Sequence, residues 1–103
     1  MAFGGGVNMK MIKKMQEDMA RMQAELAERI VEGTAGGGSV RVKVSGSLEV
    51  RDVEIDPAAI DPEDPSLLAD LVAVAVNDGL RKAQDMMAQE MGRVTGGLRL
   101  PGM

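Results

Sequence analysis

From Asn8 to Glu28 the chain holds neither glycine nor proline, and apolar residues return at Ile12, Met15, Met19, Met22 and Leu26, with spacings of 3, 4, 3 and 4. That period of 3.5 residues predicts one long amphipathic helix with a coiled-coil-like seam, and Asn8 is suited to cap its start. The period then falls to 2. Val40, Val42 and Val44 alternate with Ser39, Arg41, Lys43 and Ser45, which predicts a half-buried strand with one polar face. Gly36 to Gly38 before it and Ser45-Gly46-Ser47 after it predict hairpin turns on both sides. In the next strand Leu48 and Val50 fall on even positions but Val53 and Ile55 on odd ones, so a β-bulge is expected near Arg51 and Asp52. A weaker strand, interrupted by Gly33, is expected from Ile30 to Ala35 and completes a three-stranded antiparallel meander.

Pro57, Pro62 and Pro65 each follow an Asp, the arrangement of an N-cap with proline at the first helical position. One helical turn at 57–60 and a second long helix from Pro65 or Ser66 are predicted. The apolar positions of that helix, Leu68, Val72, Val76, Leu80, Ala83, Met87, Met91 and Val94, recur every 3.7 residues. Leu67, Leu71, Val74 and Ala75 make its first half apolar on nearly every side, so burial is expected there and only a stripe beyond. The fold class is α+β: long N-terminal helix, meander, short helical turn, long C-terminal helix, in a single domain over 1–103 with ends 1–7 and 96–103 expected to fray.

These lengths bear on shape. At 1.5 Å per residue the two helices span about 32 and 44 Å, against a diameter of about 34 Å for a compact body of this size. Either both helix ends project together as an arm with a seam that includes Ile12, Met15, Met19, Met22, Leu26, Met87 and Met91, or another subunit covers them. An exposed apolar stripe and a sheet with two open edges favour a homodimer.

Composition narrows the chemistry. With no Cys and no His among 103 residues, Cys or His nucleophiles, Ser-His-Asp triads, disulfides and the usual zinc sites are excluded. A single Phe and no Trp or Tyr argue against a sugar site. Gly4 to Gly6 and Gly36 to Gly38 lack the context of a phosphate loop. No metal, cofactor or small-molecule substrate is expected. No run of 18 apolar residues and no signal-like start occur, so a soluble, cytoplasmic protein without a membrane partner is expected.

A net charge of −4 argues against a nucleic-acid partner until it is divided along the chain. Residues 1–22 carry +2, residues 23–44 balance, residues 45–80 carry −8, and residues 81–103 carry +2. If the helices run antiparallel along an arm, the basic start of the first meets the basic end of the second at its tip. Lys10, Lys13, Lys14, Arg21, Arg81, Lys82, Arg93 and Arg99 then form a surface expected to contact phosphates. The bland reading of the same residues is a solvated helix face, and the bland reading of the Met stripe is a packing seam. The acidic segment of Asp52, Glu54, Asp56, Asp61, Glu63 and Asp64 is a poor candidate for metal-assisted hydrolysis, because the capped turns already account for much of its Asp. Asn77-Asp78, a polar pair inside a helix, is read as a buried cap or a hydrogen bond between subunits.

The order of MKMIKKMQEDMARMQAELA, VRVKVSGSLEVRDVEIDP and LLADLVAVAVNDGLRK resembles the YbaB/EbfC family of bacterial nucleoid-associated proteins. Val53, Ile55, Asp56 and Pro57 fit the strand-to-helix junction, and Asp70, Leu71, Ala75, Asn77, Asp78 and Lys82 fit the second-helix signature. Gly79 stands where the family more usually has Ala, a change that weakens a helix by about 1 kcal/mol. The resemblance implies a tweezer-like homodimer that binds double-stranded DNA in the nucleoid and does no chemistry. The competing function is an interaction adaptor whose Met-lined arms hold a partner helix.

Overall fold

The computed structural model describes residues 8–96 of the chain. Helix α1 (Met9–Glu28) leads into strand β1 (Ile30–Ala35), a 3-10 turn at Gly36–Gly38, β2 (Val40–Ser45), β3 (Val50–Ile55), a second 3-10 turn at Pro57–Ala59, and helix α2 (Pro65–Gly96). The α+β order predicted from the periodicity is the one found. Of the expected frayed ends, Gly96 is the last residue of α2, and 1–7 and 97–103 lie outside the described residues.

The alternation of β2 decides the core. Val40, Val42 and Val44 are fully buried on one face of an antiparallel sheet ordered β1-β2-β3. The opposite face carries Arg41 and Lys43, both paired with Glu54 of β3 at 3.1 and 3.4 Å. Lys43 pairs with Asp52 and Val44 with Val50, leaving Arg51 as the extra residue of the bulge expected there. The turn before β3 differs from the expectation. Leu48 does not begin the strand; its N–H closes a turn onto the Ser45 carbonyl at 2.9 Å with φ of 65°, and β3 starts two residues later. Ser45, fully buried, accounts for its hydroxyl through Ser47 at 2.7 Å and the Glu49 N–H at 3.3 Å.

α2 lies across β1 and β2, and the contact depends on missing side chains. A Cβ on Gly33 would sit 2.2 Å from the Ala75 carbonyl oxygen and 2.3 Å from the Gly79 nitrogen, and one on Gly79 would sit 2.6 Å from Val44 Cγ2. Strand and helix backbones therefore touch. Gly33, expected to weaken β1, and Gly79, expected to weaken α2, are the two halves of one close approach.

Asp78 and Lys82 complete this junction from the same helix. The Asp78 carboxylate accepts the Thr34 N–H at 3.0 Å, and the Lys82 ammonium donates to the Glu32 carbonyl at 3.1 Å. Both backbone groups lie on the outer edge of β1, so α2 covers an edge that was expected to be open. Among the described residues β3 keeps the uncovered edge, with Val50 and Val53 exposed.

Two further expectations are corrected. The first half of α2 is not buried all round: Leu67 is 49% and Val74 56% exposed, because the helix rests on the sheet by one face, with Ala75, Gly79 and Ala83 buried and Leu68, Leu71, Val72, Val76 and Leu80 half-buried beside them. Nor do the helices of one chain pair along an arm. Leu26 is the one buried residue of α1, and α1 makes no extended packing with α2 or the sheet. Among the described residues only its last turn is fastened: Leu26 O and Met87 Sδ both lie against Gly46, and Arg29, just past the helix, pairs with Glu90 at 3.2 Å. The chain is accordingly 76 × 31 × 15 Å with a radius of gyration of 20.8 Å, well above the value of about 13 Å for a compact body of its length.

Candidate nucleic-acid interface

α1 starts where Asn8, in extended conformation, accepts the Lys10 N–H on its side-chain oxygen at 2.8 Å. The next two turns place Lys10, Lys13 and Lys14 within about 100° of one helix face. All three are exposed, and none has a carboxylate within ion-pair distance among the described residues. They border shallow, open grooves lined by Met9, Ile12 and Gln16 on one side and by Glu17, Asp18 and Arg21 on the other.

The other predicted cations stand elsewhere and are paired. Arg21 is bonded to Asp18 one turn earlier on α1. Arg81 and Lys82 share Asp78 at 3.3 and 3.0 Å, at the β1 edge. Arg93 pairs with Glu90 at 3.4 Å, near the turn where α1 ends. Arg99 lies outside the described residues. Within one chain, then, the basic start of α1 and the basic residues of α2 do not converge on one tip. Of the apolar seam, Leu26 and Met87 meet around Gly46; Ile12, Met22 and Met91 are half-buried; Met15 and Met19 are exposed.

Asp78 is the residue whose role was misread. Thr34's N–H above all, then the Lys82 ammonium and Arg81 guanidinium, hold its carboxyl down to about 2. Asn77 beside it is exposed. The signal was its place one residue before Gly79: a carboxylate next to a small residue on a helix can reach a strand backbone that has come close enough. On the sheet's polar face, Arg41 and Lys43 lower the Glu54 carboxyl.

The acidic residues have structural work. Asp56, Asp61 and Asp64 accept the N–H groups of Ala58, Glu63 and Leu67 at 3.0, 2.9 and 3.2 Å, as capping residues do. Asp56 caps the turn at Pro57–Ala59, and Asp61 and Asp64 lie just before α2, whereas α1 joins the body near the far end of that helix. No three carboxylates converge as a metal site among the described residues, and no described helix is long and apolar enough to cross a membrane.

Comparison with known proteins bears on what a projecting lysine-bearing helix serves. A nucleoid-associated protein of Pelotomaculum thermopropionicum is 53% identical over 102 residues, covering 97% of each chain. Another, from Syntrophobacter fumaroxidans, is 53% identical over 104 residues, covering all of this chain and 94% of its own. The crystal structure of an uncharacterized protein from Helicobacter pylori shares the fold, with a TM-score of 0.68 at 21% identity over 84% of this chain and 90% of that one. The family model for YbaB/EbfC DNA-binding proteins matches residues 4–98, which take in α1, the meander and α2 entire, and so the chain belongs to the YbaB/EbfC DNA-binding family.

Proposed function

We propose that the chain works as a homodimeric architectural protein of the nucleoid, binding double-stranded DNA through α1 and catalysing no reaction on it. The observation that carries this reading is the start of α1: among the described residues, three exposed lysines have no carboxylate within ion-pair distance, on a helix that packs on nothing beyond its last turn. An ammonium that is already paired must give up its carboxylate to take a phosphate. Lys10, Lys13 and Lys14 therefore make the first contacts, and Arg21, Arg81, Lys82, Arg93 and Arg99 contribute less. Lysines without aromatic neighbours offer bases little to stack on, so duplex is preferred over single strands.

The homodimer rests on a separate set of residues. Met15, Met19, Val50, Val53, Leu67 and Val74 are all exposed apolar side chains, and burying them against a second copy would remove apolar surface from water. A second copy laid along α1 would cover the seam and pair two basic helices.

A gel-shift titration with duplex DNA across a salt series tests the reading. Each neutralised phosphate contributes about −0.9 to the slope of log affinity against log salt, so Lys13→Ala with Lys14→Ala in both subunits flattens it by up to about 3.6. A folded variant with the parent's affinity and slope would exclude α1 as the contact and favour the adaptor, in which the Met stripe holds a partner helix.

A further inference from the structure

We infer that Met9 and Met11 are apolar wedges that kink the duplex held by Lys10, Lys13 and Lys14; this rests on the DNA-binding reading above. Met9 is 75% and Met11 61% exposed, the first among the most open apolar side chains of the chain. Neither belongs to the spacing of Ile12, Met15, Met19, Met22 and Leu26 that defines the seam. At about 100° of rotation per residue the two methionines flank the lysine face, Met9 about 40° from Lys13 and Met11 about 60° from Lys14. The first turn of the projecting helix thus presents cations with an apolar tip on either side.

Phosphate binding alone has no use for those tips. Exposed methionines beside unpaired cations are the combination by which groove-binding proteins enter DNA: the charges seat the element on the backbone, and an apolar side chain parts a base step. Methionine, unbranched and with a polarizable thioether, fits irregular stacks better than a β-branched residue. Pyrimidine–purine steps open most easily, so the protein should favour duplexes containing TA or CA steps without reading any base edge.

Ligase-catalysed ring closure of a duplex of about 100 bp, shorter than the persistence length of about 150 bp, reads the bend directly. The full-length protein is expected to speed closure about tenfold or more, since wedges of this kind kink DNA by roughly 20–90°. Met9→Ala with Met11→Ala should return closure to the rate of free DNA and keep the salt slope, while Met9→Leu with Met11→Leu should still bend. Alanine at exposed helix positions does not endanger folding. Unchanged closure with the alanine pair, or no acceleration by the parent protein although it binds, overturns the wedge and leaves the lysine contacts standing. Loss of dimer in the alanine pair assigns both residues to the seam instead, and absence of duplex binding by the parent overturns the DNA reading and the wedge together.

Discussion

Asp78 joins a helix surface, a strand edge and two cations, Arg81 and Lys82, in one carboxylate. Its carboxyl lies at about 2, against 3.8 ordinarily, chiefly through the Thr34 N–H. The folded chain thus holds this proton less tightly than the unfolded one. Its contribution to stability is complete above 3.8, fades as the pH falls from there towards about 2, and is gone below. Asp78→Asn should remove that part of the acid dependence, and melting temperatures followed through the window would show the parent falling more steeply than the variant. Gly79 sets the opposite problem. Alanine there should gain about 1 kcal/mol of helix propensity, but its Cβ would meet Val44 Cγ2 at 2.6 Å inside a filled core, where overpacking costs about 1–3 kcal/mol. Urea titration is expected to show Gly79→Ala destabilised or at best unchanged, whereas Gly92→Ala, whose Cβ meets nothing within 4 Å, should gain about 1 kcal/mol. Stabilisation by both would mean that the strand and helix are not in contact.

Among the described residues α1 is a 20-residue helix fastened at its last turn alone, and most of a helix's stability in a protein comes from packing its apolar face and not from propensity. Its persistence as a helix therefore depends on what covers the seam. Amide exchange over residues 9–22 should slow as protein concentration rises through the dimerisation range, while β2, buried between its neighbours, stays protected throughout. Exchange of α1 independent of concentration, together with scattering from a stable 10.9 kDa species at micromolar concentration, would refute the homodimer. The sheet has the same asymmetry: α2 closes the β1 edge with two side chains and leaves the β3 edge, with Val50 and Val53, for another surface.

Over the length of the molecule, charge and shape are segregated together. The acidic caps lie just before α2, and the unpaired lysines ride on a helix that leaves the body near the other end of α2. Such a chain can be acidic in total and still present a basic surface, because the potential that DNA meets is set within a Debye length of about 10 Å, far less than the 76 Å span. On the proposed reading the net charge of −4 would keep the body off the duplex and leave the contact to α1, so the salt dependence should respond to two lysines and not to the acidic residues.

The periods of 3.5 in α1, 2 in β2 and 3.7 in α2 were enough to place both long helices and the central strand, and the phase change between Val50 and Val53 was enough to place the bulge, although the start of β3 lay two residues beyond the expected Leu48. Each is a local consequence of one face being buried, which a short window of residues records. The lysines at the start of α1 were legible for the same reason, as neighbours on one helix. What folding added joins residues more than forty positions apart: Gly33 against Gly79, Thr34 to Asp78, Glu32 to Lys82. No periodicity encodes such pairs, and taken singly a glycine in a strand or an aspartate in a helix reads as a flaw. Whether α1 lies along α2 or leaves it also turned on packing, since an apolar stripe states that a face must be covered without saying by what.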